Sequence, residues 1–262
     1  MQKLSSLKSS TALNPPIIVI YSEPGGGKTT WAASAPNPLF IDTEKGSGFV
    51  NVARAGDLFG KDYMDSYDDV IATMKMLVKE EHDFKTLVID SLSAMINLIN
   101  DKVCDEEKVD SIGDIPYGGG YSKAKDKWLD MFKAFEVLRS KKGMIIVVTA
   151  HSETEKFTDP KTLNSYNRYN LRGVNDKYLG VIKERADYIL FANDDYVYQE
   201  KKAGFSSDTK VVSKGKKLFT KSQPSYLAKA RGRNPVPEKI DMPLEDGFKA
   251  FMDVIKKSNK GK

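Results

Sequence analysis

The chain alternates short apolar runs with longer segments whose apolar residues recur at helical spacing. The runs Ile17 to Ile20, Leu39 to Ile41, Leu87 to Ile89, Met144 to Thr149 and Tyr188 to Phe191 read as buried strands. Between them, Val70, Met74, Leu77 and Val78 mark one helix and Leu92 to Asn100 another. Trp128, Met131, Phe132, Phe135 and Leu138 form the stripe of a long helix over Lys123 to Ser140. A short helix is predicted over Thr29 to Ser34, stopped by Pro36 and Pro38. Near-continuous apolar strands separated by helices need cover on both faces. The expected fold is therefore α/β, a mainly parallel sheet with helices on both sides. Val211-Val212 and Leu218-Phe219, separated by Ser-Lys-Gly-Lys-Lys, predict a C-terminal β-hairpin. Residues 1–14 read as a flexible N-terminal segment, 15–233 as the core and 234–262 as a C-terminal extension. Within that extension Asn234 to Pro243 is expected to be extended, Leu244 to Ile255 helical and Lys256 to Lys262 a basic tail.

Composition changes this picture little. A chain of 262 residues can bury one substantial core, and its net charge of +5 is mild for that size. The single cysteine, Cys104, excludes an internal disulfide framework and fits a reducing compartment. No apolar run approaches membrane-spanning length, and Met1 to Asn14 lacks the apolar stretch of a secretory leader. A cytoplasmic location without a membrane partner is the expectation.

The chemistry concentrates where the first strand ends. Residues 21 to 30 read Tyr-Ser-Glu-Pro-Gly-Gly-Gly-Lys-Thr-Thr, a phosphate-binding loop between a buried strand and a helix. Gly25, Gly26 and Gly27 allow positive φ angles and bring backbone N–H groups close to phosphate oxygens. Ser22, Glu23, Pro24 and Thr30 complete the loop, Lys28 supplies a charge for the β- and γ-phosphates, and Thr29 offers a hydroxyl to Mg²⁺. Ser22 stands where the usual motif begins with glycine. The implied cofactors are ATP and Mg²⁺. In a parallel sheet ligands sit at the carboxyl ends of strands, so Asp90, after Thr86 to Ile89, is a candidate for the metal's water shell. Glu44, ending Phe40-Ile41-Asp42-Thr43-Glu44, can polarise the attacking water, since Ser91 occupies the place directly after Asp90. His151, ending the fourth strand, can contact the γ-phosphate and report it to the segment that follows.

The order of phosphate loop, Phe-Ile-Asp-Thr-Glu, Leu-Val-Ile-Asp-Ser and a strand ending in a polar residue resembles the RecA-type ATPase core over roughly residues 15 to 235. Length and the histidine at 151 look closest to phage-encoded, RecA-like single-strand annealing proteins. The resemblance implies a catalytic Glu44, a sensor at His151, and two DNA-holding loops. The first, Ser111 to Ser122, contains Tyr117 and is followed by Lys123. The second, Ser152 to Asp176, carries Lys156, Tyr166, Arg168, Tyr169 and Arg172. Cations interleaved with tyrosines suit single-stranded DNA, with charges along the phosphates and rings against bases. From Lys201 to Arg233 the cations Lys201, Lys202, Lys210, Lys214, Lys216, Lys217, Lys221, Lys229, Arg231 and Arg233 face Asp208 alone. Lys229-Ala230-Arg231 resembles the cation pair that such ATPases insert into a neighbour's γ-phosphate site. A homo-oligomer, ring or filament, with shared ATP sites follows, and a single-strand-binding protein is a further candidate partner.

Three functions fit these residues: DNA-dependent ATP hydrolysis in annealing or recombination, a phosphoryl transferase using the same loop, and a nucleotide-gated assembly module. The resemblance favours the first, in the cytoplasm of a bacterial host.

Overall fold

The computed structural model describes residues 14–45, 48–174, 176–203, 206–232 and 234–259. The expected N-terminal segment before Asn14, the cation Arg233 and the end of the basic tail lie outside the described residues. The chain runs β1 (Ile17–Ser22), α1 (Lys28–Ala33), β2 (Pro38–Asp42), β3 (Ala53–Arg54), α2 (Tyr67–Lys79), β4 (Thr86–Asp90), α3 (Leu92–Glu107) and α4 (Gly119–Lys142). It continues with β5 (Ile145–Thr158), β6 (Ser165–Leu171), α5 (Asp176–Arg185), β7 (Tyr188–Ala203), β8 (Ser206–Phe219), β9 (Lys229–Ala230), β10 (Lys239–Asp241) and α6 (Gly247–Asn259).

The main path of the sheet is β10-β8-β7-β1-β5-β4-β2-β3. Pairing from β7 across to β3 is parallel throughout, while β8 and β10 are antiparallel to their neighbours. Both faces are covered, and the side chains of β1 show why its apolar run is unbroken. Ile17, Val19 and Tyr21 enter the core shared with α2, α3, α4 and α5. Ile18 and Ile20 enter the opposite one, with Trp31 of α1 and Phe248 and Phe251 of α6. The fold is thus the expected α/β one, a parallel phosphate-loop NTPase core with helices on both faces. The C-terminal residues share that core, since β10 pairs with β8 and α6 packs against Trp31.

The structure corrects the sequence reading at four places. Val211-Val212 and Leu218-Phe219 are not the two arms of a hairpin but lie on one strand, β8, whose partner is β7. Gly215, read as a turn, sits at φ 88° beside a register shift between Asp194 and Tyr196. It supplies a bulge, so the strand bends and continues. Ser152 to Asp176 is likewise no loop. β5 runs on past the sheet edge and pairs with β6, Ser152 to Thr158 against Ser165 to Leu171. Finally, α4 begins at Gly119 and takes in Gly120, where a Cβ would stand 2.4 Å from the Ile112 carbonyl oxygen. The terminal helix starts at Gly247 rather than Leu244, after Asp246 in a left-handed conformation at φ 55°.

At the amino end of the sheet, Asp187 ties three segments together. It accepts from the backbone N–H of Ile17 at 3.0 Å, from Arg139 Nη2 at 2.9 Å and from Arg231 Nη1 at 3.2 Å. The Arg139 side chain is only 9% exposed, and its charge is met by this carboxylate and by Glu136 Oε1 at 2.8 Å. Removing Asp187 leaves the buried Arg139 with Glu136 alone and takes an acceptor from the Ile17 N–H. Asp187→Ala is expected to destabilise the fold by about 3 kcal/mol, read as a lower urea midpoint with an unchanged m-value. A midpoint within error of the parent would show that the knot is not stabilising.

Candidate active site

The carboxyl ends of β1, β5, β4 and β2 meet at one cavity of about 360 Å³. Its lining includes Pro24, Gly25, Gly27, Lys28, Thr29 and Thr30 from the loop, with Glu44, Asp90 and His151 from the other strand ends. Lys45 and Phe49, which the sequence reading did not single out, complete it. Gly25 and Gly27 hold φ angles of 74° and 87°, the left-handed backbone that only glycine adopts freely.

Ser22, Glu23 and Gly26 are not among the residues that line the cavity. The departure at Ser22 has a structural use. Lys28 Nζ donates to Ser22 Oγ at 3.0 Å, to the Ser22 carbonyl at 3.3 Å and to the Glu23 carbonyl at 3.1 Å. Gly26 must lack a side chain because a Cβ there would stand 2.0 Å from Ser22 Oγ. Burial holds the Lys28 pKa below its ordinary value, opposed by the charges of Asp90 and Glu44. The ammonium remains a strong donor, and all three of its N–H bonds have neutral acceptors that a phosphate oxygen can replace.

Thr29 and Asp90 touch each other. Thr29 Oγ1 donates to Asp90 Oδ2 at 2.8 Å, and Thr149 Oγ1 of β5 donates to Asp90 Oδ1 at 2.5 Å. A hydroxyl beside a carboxylate is an oxygen set that suits Mg²⁺ held jointly with phosphates. Glu44 is placed by its neighbour. Thr43 N donates to the Asp90 carbonyl at 2.8 Å. Its hydroxyl accepts from Ser91 N at 2.9 Å and donates to the Ser91 carbonyl at 3.0 Å. This lashes the end of β2 to the end of β4, across a peptide bond, Asp90–Ser91, that is cis. Thr43 and Thr149 were missed from the sequence, although each is a hydroxyl residue at the carboxyl end of a buried strand. Glu44 Oε1 lies 3.2 Å from His151 Nε2, so the two strand-end candidates form a pair.

The DNA-binding candidates are not gathered in one place. Tyr117 is fully exposed on a turn at φ 57°. Lys123 pairs with Glu107, which neutralises it. On the β5–β6 hairpin Lys156 and Arg172 are exposed. Tyr166 packs on Phe157 with ring centroids 5.5 Å apart, and Arg168 lies 5.3 Å from the same ring. Tyr169 stacks on Phe191 at 5.1 Å, inside the aromatic cluster that includes Tyr226. Its ring and the Arg168 side chain are engaged in packing, a use that a loop reading could not foresee. Lys229 and Arg231 stand at the amino end of the sheet, away from this chain's own loop. Lys229 Nζ donates to the carbonyls of Lys183 and Ala186, and Arg231 Nη2 to that of Glu184 at 2.6 Å, so both cap the C-terminus of α5. The side chains of Lys201, Lys202 and Lys210 lie outside the described residues.

The chain belongs to the AAA domain family, whose family model matches residues 14–232. The match spans the phosphate loop, Glu44, Asp90, His151 and the Lys229–Arg231 pair. Membership places the chain among nucleotide-binding proteins of the phosphate-loop ATPase type. No curated protein matches the chain. Among the described residues no helix is long and apolar enough to cross a membrane.

Lys28 offers the site its most direct test. Lys28→Ala should lower affinity for Mg·ATP by roughly a hundredfold, the scale of lost hydrogen bonds to a charged group, while the thermal midpoint holds. Calorimetric titration giving parental affinity would remove Lys28 from the phosphate site.

Proposed function

We propose that the chain hydrolyses ATP with Mg²⁺ in this cavity and couples turnover to single-stranded DNA, in annealing or homologous recombination. The contact between Glu44 and His151 carries the reading. His151 is at once a partner of the water-activating candidate and the last residue before β5 leaves the sheet as a hairpin. Its carbonyl also accepts from Arg172 N at 2.9 Å, so the returning arm of the hairpin is bonded to the same residue.

The residues divide the chemistry among them. The loop N–H groups and Lys28 bind and orient the phosphates. Thr29 and Asp90 would hold Mg²⁺, whose chemistry is to neutralise charge building on the phosphate oxygens. Glu44 orients and polarises the attacking water. In the geometry described here its carboxylate is engaged by His151. A γ-phosphate accepting the imidazole N–H would release Glu44 for that role and turn His151 toward the phosphate.

Support for DNA comes from placement. α4 returns to the amino end to feed β5, so its start, with exposed Tyr117, lies at the same end as the cavity. The hairpin with Lys156 and Arg172 rises from that end too. An exposed aromatic and exposed cations there suit a single strand lying over the nucleotide site. The homo-oligomer belongs to the same proposal. Lys229 and Arg231 occupy the end that would face a neighbour's loop in a head-to-tail stack, where they would exchange α5 carbonyls for a phosphate. Annealing, a phage origin with location in the bacterial host cytoplasm, and a single-strand-binding partner rest on the resemblance to RecA-like annealing proteins.

Glu44→Gln keeps the shape and loses the charge. It should retain ATP binding and lose turnover by about a hundredfold, the scale of a lost general base, in a steady-state phosphate-release assay. Turnover at the parental rate would place water activation elsewhere. For DNA, anisotropy of a labelled single strand over a salt series separates charge from stacking. Replacing Lys156 and Arg172 together should flatten the log–log slope by about 1.4, two contacts at about 0.7 each. Tyr117→Ala should weaken binding by about 1–3 kcal/mol at nearly constant slope. His151→Ala should shrink the affinity difference between ATP-analogue and ADP states. If the parent binds no nucleic acid and single strands leave its ATPase unchanged, the DNA reading fails.

A further inference from the structure

β8 and β10 lie beyond β7 from the phosphate loop, yet both reach it. Lys216 Nζ donates to the Gly25 carbonyl at 3.2 Å, across 191 residues of chain. Met242, just after β10, donates its N–H to the Lys216 carbonyl at 3.1 Å, which fixes the two residues side by side. Met242 Cε lies 3.5 Å, and Lys216 Nζ 3.9 Å, from where a Cβ on Gly27 would stand. Lys216 directly follows the bulge residue Gly215, at the point where the strand is bent.

Sheet order gives the ligand a direction. Asp90, Glu44 and His151, which handle metal and water, stand on or just past β4, β2 and β5, all on one side of β1. Lys216 and Met242 come from β8 and the end of β10, on the other side. A triphosphate whose γ-end meets Glu44 and Asp90 must point its α-phosphate and nucleoside toward β8 and β10.

We infer that Lys216 and Met242 form the nucleoside end of the site, for a nucleoside polyphosphate. Lys216 releases the Gly25 carbonyl and takes the α-phosphate, and the Met242 thioether packs on the base. Sulfur against an aromatic ring is a favourable contact that needs no hydrogen-bond pattern. The inference rests on the nucleotide reading above and adds to it a cation donated within the same chain. It also joins the β7–β8 hairpin to occupancy of the site, because Lys216 belongs to that hairpin.

The test is calorimetric titration of ATP, ADP and inorganic tripolyphosphate, each with Mg²⁺, into the parent, Lys216→Ala, Lys216→Arg and Met242→Ala proteins. Thermal midpoints check that each variant is folded. Lys216→Ala should weaken all three ligands by about tenfold, as a lost charged hydrogen bond does, and Lys216→Arg should recover most of it. Met242→Ala should weaken ATP and ADP by roughly three- to tenfold and leave tripolyphosphate unchanged. Parental ATP affinity in Lys216→Ala overturns the inference, as does an equal loss for tripolyphosphate and ATP in folded Met242→Ala. Should Met242→Ala not fold, the half-buried Lys216 still decides the case. A parent that binds tripolyphosphate as tightly as ATP overturns the inference alone. A parent that binds none of the three overturns the nucleotide reading with it.

Discussion

Asp90 accepts from two hydroxyls on different elements, Thr29 of α1 and Thr149 of β5, and the geometry of the whole site depends on that contact. The residue is 8% exposed, and a carboxylate so far out of water needs donors on both oxygens. Thr149 can supply one of them because β5 lies between β1 and β4. With β5 there, His151 comes to the cavity. Thr43 then extends the same logic one strand outward, binding β2 to β4 through the Ser91 backbone and bringing Glu44 within reach of His151. A short chain of hydroxyl contacts at strand ends thus sets the distances among residues far apart in sequence.

What could be read from the sequence was whatever local order expresses. Buried strands must be apolar along their length when both faces are covered, so Ile17 to Ile20 and Leu87 to Ile89 announce themselves. The glycine loop does so because its backbone angles exclude other residues. The continuation of β5 could not be read the same way. Val147 and Val148 are buried in the sheet, but from Glu153 to Lys156 the strand stands in solvent. Its residues become polar, and a solvated strand has the composition of a loop. Gly215 failed for a related reason, since a glycine serves a bulge and a turn equally well. Lys216 and Thr149 could not be assigned at all without the fold, because their partners Gly25 and Asp90 are brought beside them only by the sheet.

Charge was the least legible quantity. The excess of cations after Lys201 looks like a single basic surface, but much of it is used inside the chain. Lys217 pairs with Asp241 and Lys221 with Glu238, while Lys229 and Arg231 cap α5. Acids that lie outside the counted window in sequence lie beside it in space. Exposed pairs of this kind contribute little stability, yet they cancel the field that a run of lysines would otherwise project. Among the described residues, a DNA contact near the cavity would draw on a few exposed groups, and affinity would depend on their position as well as on net charge.

That places the weight of any coupling on the strand from Thr149 to Ser152. Thr149 holds Asp90 with its side chain, His151 meets Glu44 with its ring, and the His151 carbonyl accepts from Arg172. Side chains alternate along a strand, so Thr149 and His151 point the same way, toward the cavity, while the backbone between them is shared with the hairpin. A change of partner at the His151 ring requires the ring to move, and the ring is attached to the residue where β5 leaves the sheet and where the returning arm is hydrogen-bonded. The proposed coupling would need no distant pathway, because the proposed sensing residue also holds the base of the hairpin.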